Sequence, residues 1–384
     1  MKLLVLKLMK KISAVILCFF IAALMTVVFM GGCKNRENEV KKAAESEKTI
    51  GVFIPGVLAG SAIYEMVANG VLKAAEDFAA SKGGAVPKVT VIEGGFNQAG
   101  WEDQVTTLAA SQSYDLIVSS NPSLPEIVSR VSAKFPSQKF LLFDGELSGN
   151  LNVYTIRYNQ REQSYMAGYI AALVSIEAEG GAASSGSTSG STSSSTSGSA
   201  SVGTSGGVRR LGLVAAQEYP VMNNIILPGF TEGAQAADPA FTVDFRLVGN
   251  WFDAAKAAEL AAAMIRSGVK VIMPIAGGAG HGVIQAAAEA GAKVVWFDIN
   301  GYAIRPGTVI GSSVLRQDKA AYEKTMLYLN GNLPFGKAEI AGTADGFVDF
   351  VENDPHYIAS VSEEIRGKQA ALVARIRSGE LKLD

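Results

Sequence analysis

The sequence predicts an α/β protein made of two doubly wound lobes. Three observations carry that expectation. Residues 269–282, VKVIMPIAGGAGHG, with 294–298, VVWFD, spell strand, glycine turn, helix, strand and terminal acid, which is a βαβ unit. Two series of such units follow one another along the chain, the pattern of parallel sheets flanked by helices. Hydrophobic residues make up 48% and charged residues 18% of the 384, enough to bury cores in roughly two or three domains of ~150 residues.

The chain starts with a basic stretch, 2–11, and a nearly continuous apolar run, 12–30, followed by Gly31-Gly32-Cys33. This is the layout of a secretory leader over 1–32. A cysteine after two small residues resembles the lipoprotein box in which Cys33 becomes the acylated first residue. An uncleaved anchor is the alternative, since ~20 apolar residues span a bilayer. In both readings 33–48 is a polar tether holding the body outside the cytoplasm.

The first series has strands at 49–54, 89–93, 115–119 and 139–144, with helices at 61–80, 101–111 and 125–134. A strand at 153–158 and a helix at 162–176 follow. Composition then collapses: 179–207 is almost wholly Gly, Ser, Thr and Ala, and is read as a disordered insertion because it cannot offset its chain entropy by burial. The second series has strands at 211–215, 242–248, 271–275 and 294–298, with helices near 224–237, 253–267 and 282–290. Residues 309–313 read as an extended crossover, 317–330 as a helix, 347–351 as strand-like and 355–378 as a closing helical region. Residues 49–158 with about 300–335 are expected to form the first lobe, and 159–299 with about 336–384 the second. Ligands favour clefts between such lobes, outside the carboxyl ends of the strands.

Counts exclude several chemistries. The leader's four lysines contribute +4 to a net −2, leaving −6 for the rest, a poor charge for nucleic acid. The two cysteines, Cys18 and Cys33, lie near the N-terminus, and the two histidines are His281 and His356. A Cys/His metal cluster or a Cys–His nucleophile pair in the folded body is therefore excluded by number. The glycine cluster lacks the lysine of a phosphate loop. No metal, cofactor or catalytic triad is expected, and the protein is read as a monomer.

Several blocks resemble one family. They are YDLIVSS (114–120), KFPSQKFLLFDGEL (134–147), YNQREQSYMAGYIAALVS (158–175), PGFTEGAQAADPAF (228–241), the long block 248–283, VVWFDIN and GSSVLRQDKAAYEKT (311–325). These are similar to the basic membrane protein family of ABC-transporter solute-binding lipoproteins, whose purine nucleoside receptor A-like members bind nucleosides. The resemblance implies a type I periplasmic-binding-protein fold, with two lobes joined by a three-segment hinge and a ligand between them. By position it implies that Trp251 stacks on a base and that Asp298 bonds the ligand. Arg316 falls near the sugar, Gly277, Gly278 and Gly280 form the ligand-edge turn, and Asp144 is the first lobe's strand-end acid. The family's first strand ends in an acid and a Ser-Phe-Asn segment. Here Pro55-Gly56 stands there, so Ser61 and Tyr64 are expected to supply the hydroxyl and the ring, with Asn121 at a position where glycine is common.

Residue type alone leaves alternatives open. Trp251 also suits packing, Asp298 and Asp144 suit turn caps, and Arg316 suits a surface ion pair. The expected function is a non-enzymatic, membrane-tethered receptor that closes on a purine nucleoside and passes it to an ABC permease. A sensor domain has the same clamp. An extracellular nucleoside hydrolase would have to use Asp144 and Asp298 as its acid pair.

Overall fold

The computed structural model describes residues 48–185 and 209–383. The leader, Cys33 and nearly all of the tether lie outside them, as do residues 186–207 of the expected insertion.

Strands β1 (Thr49–Ile54), β2 (Lys88–Glu93), β3 (Leu116–Ser120), β4 (Lys139–Phe143) and β5 (Val153–Tyr158) come first. Helices α1 (Ala62–Lys82), α2 (Trp101–Ser111) and α3 (Leu124–Lys134) connect the first four. Helix α4 (Gln160–Ser185) then leads to β6 (Arg210–Ala215), β7 (Thr242–Leu247), β8 (Val271–Ile275) and β9 (Lys293–Asp298). Between these run α5 (Leu227–Ala237), α6 (Ala254–Arg266) and α7 (Gly280–Glu289). The chain closes with β10 (Val309–Leu315), α8 (Gln317–Leu329), β11 (Ala338–Ala341), β12 (Val348–Phe350), α9 (Pro355–Ser360) and α10 (Glu363–Arg377).

The strands form two sheets, ordered β11-β5-β4-β3-β1-β2 and β12-β10-β9-β8-β6-β7. Every pairing is parallel except β10 with β12. Inner strands such as LIVSS of β3 and VIMPI of β8 are buried along their whole length, because helices cover both sheet faces. Each sheet reverses direction beside its first strand, β1 between β2 and β3, and β6 between β7 and β8. That is where open α/β sheets leave a crevice.

Three expectations need correction. The chain does cross between sheets three times, but after β5, after β10 and after β11. Residues 309–313, expected to be an extended crossover in the first lobe, belong to a fully buried strand of the second sheet, Val309–Leu315. Their glycine and serines leave room for α4: a Cβ on Gly311 would lie 3.2 Å from Ile170. Conversely, β11 was not foreseen, and it pairs with β5 in the first sheet although it falls within the range assigned to the second lobe. The insertion does not begin at 179 either, since α4 continues to Ser185.

Helices α4 and α5 cross at backbone contact. A Cβ on Gly168 would stand 2.0 Å from the Phe230 carbonyl oxygen, and one on Gly233 2.1 Å from that of Tyr165. Neither obstacle is a flexible side-chain tip, so the helices themselves must separate. Gly168→Ala is expected to lower stability by about 3 kcal/mol in urea unfolding. Gly367→Ala is the control: it sits exposed in α10 with nothing near its Cβ, so a gain of about 0.5–1 kcal/mol is expected.

Candidate functional site

Both expected carboxylates stand at strand carboxyl ends, one per sheet. Asp144 follows β4 and Asp298 closes β9. Their φ angles are +58° and +74°. Among the described residues only Gln112 shares this left-handed backbone without being glycine. Aspartate tolerates it better than most residues, and such kinks cluster at functional sites. The kink turns each chain off the end of its sheet at the edge where the two sheets approach.

The charge of Asp298 is felt at Asp144. Burial, and then the negative charge of Asp298, push Asp144 from the ordinary 3.8 up to about 8. Burial pushes Asp298 up to about 6, while a hydrogen bond from Gln163 opposes the rise. Gln163 Nε2 donates to Asp298 Oδ1 at 3.1 Å and to the Ser313 carbonyl at 3.2 Å. Among the described residues neither acid is in an ion pair. No basic side chain is among the charges that set their proton affinities.

Aromatic rings surround the pair. On the first lobe, Tyr64 of α1 donates its hydroxyl to the Pro55 carbonyl at 3.1 Å and accepts from Asn121 Nδ2 at 3.3 Å. Burial raises the Tyr64 pKa, and the charge of Asp144 adds to it. Asn121, at the end of β3, fixes its amide by accepting from Ser123 N at 2.9 Å. On the second lobe, the Trp251 and Tyr219 rings lie 6.5 Å apart at 40°. Burial raises Tyr219, with Asp298 and Asp144 both contributing. Tyr219 therefore neighbours Trp251 and feels both acids. Beneath Trp251, Gly277 has φ +55°, and a Cβ there would stand 3.3 Å from the indole.

The other predicted residues are placed differently. Gly278 lies near the Trp251 carbonyl, whereas a Cβ on Gly280 would meet the Trp296 ring at 3.2 Å. The close neighbours of these two glycines are thus protein. Ser61 precedes α1 but its hydroxyl makes no cap bond. Arg316 precedes α8, where its guanidinium faces Asp318 at 3.4 Å, half exposed, and does not act on either acid of the cleft.

Sequence reasoning missed Tyr219, Gln163, Tyr158 and the lip. Tyr219 follows the end of β6, so its strand-end position was the available signal. Tyr158 is buried on β5, its hydroxyl unpartnered and its pKa raised by burial and by Asp144. Phe96, after β2, meets Phe252, after β7, edge to face at 5.5 Å between centroids. Both rings stay mostly exposed, 67% and 63%, although they touch across the two lobes. A cavity of about 470 Å³ opens beside Asp144, lined by Pro122, Pro125, Leu147, Arg157, Gln160 and Val221 among others. Neither Trp251 nor Asp298 lines it. Its size suits a small ligand.

A sequence profile described as ABC transporter substrate-binding protein PnrA-like matches residues 47–382. Basic membrane protein D of Borreliella burgdorferi is 23% identical over 362 residues, covering 93% of this chain and 92% of that protein. The ABC transporter nucleoside-binding protein BmpA of Lactococcus lactis is 25% identical over 179 residues, 47% of this chain and 42% of its own. The chain spans 44% of the length of the CD4+ T-cell-stimulating antigen of Listeria monocytogenes, at 27% identity over 191 residues. Among solved structures, a solute-binding protein of an ABC transporter system from Aeropyrum pernix superposes with a TM-score of 0.67 at 21% identity, over 88% of this chain and 93% of that one. That likeness shows the fold.

Proposed function

The chain belongs to the PnrA-like family of ABC transporter substrate-binding proteins, and from that premise we propose that it captures purine nucleosides between its lobes and delivers them to a permease. The opposed strand ends carry the reading: each lobe presents a carboxylate near an aromatic ring, Asp144 with Tyr64 and Asp298 with Tyr219, whose ring neighbours Trp251. A nucleoside matches that arrangement. Its base has two π-faces, each stack contributing ~1–3 kcal/mol. Its ribose diol donates two hydrogen bonds, which a carboxylate accepts as strong charge-assisted bonds. BmpA, a relative by sequence, is described as nucleoside-binding. We read Ser61, Asn121, Gly277 and Gly278 as flanking contacts, and Cys33 as the acylated residue that tethers the receptor outside the cytoplasm. Among the described residues no helix is long and apolar enough to cross a membrane. Closure is a hinge motion through the three crossings, and ligand shifts the population toward the closed form.

A thermal-shift screen with nucleosides, free bases, sugars and amino acids tests the reading. A nucleoside at ~100 times its dissociation constant is expected to add ~2.7 kcal/mol to stability. If only sugars or amino acids raise the melting temperature, the nucleoside assignment is wrong. The coupled carboxylates also suit glycosidic-bond cleavage, which uses an acid pair. Release of free base from inosine on prolonged incubation would turn the receptor into a hydrolase.

A further inference from the structure

The lobes touch where a hinge has its greatest leverage. The three crossings follow β5, β10 and β11, so they gather at one edge of each sheet. Strands β2 and β7 form the opposite edges. From β5 to β2, and from β10 to β7, run four strand spacings of about 4.8 Å, roughly 19 Å of lever. Phe96 follows β2 and Phe252 follows β7, at matching positions of the two lobes. Their rings meet edge to face, with centroids 5.5 Å apart and planes at 72°. Opening about the crossings separates these rings further than any groups beside the hinge.

Both rings are held out on anchored loops. The Gly94 carbonyl accepts from Gln104 Nε2 at 3.1 Å and the Gly95 carbonyl from Trp101 Nε1 at 3.0 Å, while a Cβ on Gly94 would stand 2.7 Å from the Phe53 ring. On the other lobe, Asn250 Oδ1 accepts from the backbone nitrogens of Phe252 and Asp253 at 2.9 and 2.8 Å. Among the described residues these are the only exposed phenylalanines, and each is the other's partner. A ring fixed in water gains by meeting a second one. The contact is made by protein alone, so it favours the shut arrangement whatever the cleft contains. We propose that Phe96 and Phe252 form a latch that keeps the closed form dominant and sets the rate of ligand exchange. An aromatic pair of this geometry shifts the ratio of closed to open by roughly 3- to 10-fold. Where the closed form dominates, that factor slows entry and exit alike and nearly cancels from the affinity.

The test compares the full chain with Phe96→Ala, Phe252→Ala and the double variant. Small-angle X-ray scattering without ligand should give a larger radius of gyration for all three variants. The double variant should be no larger than either single one, because one truncation already breaks the contact. Stopped-flow tryptophan fluorescence with inosine should show association and dissociation both roughly 3- to 10-fold faster, and the dissociation constant within about 2-fold of the parent's. Scattering that is unchanged in every variant overturns the latch. So does faster dissociation with unchanged association, which would make the ring part of the pocket wall. Effects of the two truncations that add in the double variant would show rings acting separately, and overturn it as well. If inosine does not bind the parent, the nucleoside reading loses its support, and the scattering comparison alone decides the latch.

Discussion

On the proposed reading, Trp251→Ala is expected to weaken nucleoside binding on the order of 100-fold, by the loss of one full base stack. The melting temperature of the empty protein changes little. Trp251 is only partly buried, on a loop between β7 and α6, and its main partners are Tyr219 and the bare face of Gly277. Truncation therefore empties one wall of the cleft without opening a cavity in the core. Trp251→Phe keeps a π-face and should recover most of the affinity. Its neighbour Phe252 provides a contrast, since that ring touches Phe96 at the lip and leaves the base position alone. Isothermal titration of the three proteins decides the matter. Unchanged affinity in a correctly melting Trp251→Ala protein would take the indole out of the pocket.

Asp144→Asn is expected to stabilise the empty protein in mild alkali while impairing its binding. The sign follows from the direction of the shift. A carboxyl raised from 3.8 to about 8 in the folded state binds a proton there that the unfolded chain has released. Its contribution to stability is complete below pH 3.8 and is lost as pH rises toward 8. Asp298, raised to about 6, works in the same sense over a narrower window. The groups that act on or feel Asp144 are Tyr64 from α1, Tyr158 from β5, Tyr219 after β6 and Asp298 from β9, while Arg157, which lines the cavity beside it, is held by Glu146 at 2.9 Å. Asparagine removes the charge and keeps the shape. The variant should melt higher than the parent above pH 8, by on the order of 2 kcal/mol, and nearly level with it below pH 4. A parallel offset at every pH would show that the substitution acts through packing instead. A gain in stability with a loss of binding is the usual mark of a functional group held at an energetic cost.

Much of this molecule was legible in the chain because the relevant signals are local. Buried parallel strands are short apolar runs, and helices announce themselves by period, so the two βα series could be read directly. An acid at the end of an apolar run, as in FLLFD and VVWFD, marks a strand's carboxyl end whatever surrounds it. The family resemblance, carried by blocks spread over both halves, now stands as membership. Other features depend on partners far away in sequence. Residues 309–313 read as an extended crossover, and the packing of α4 over Gly311 shows them to be part of a core strand. Strand β11 is four residues long and exists because β5 has an open edge.

The site divides along the same line. The sequence by itself determined which residue types stand at the strand ends, and so that an indole, a tyrosine and two carboxylates are available. The tertiary structure decided that the charge of Asp298 reaches Asp144, that Gln163 bonds Asp298, that Tyr219 lies near both acids, and that Arg316 turns to Asp318. Charge balance is a sum over neighbours in space. Two sheets meeting at their carboxyl ends set that sum, and no stretch of the chain contains it.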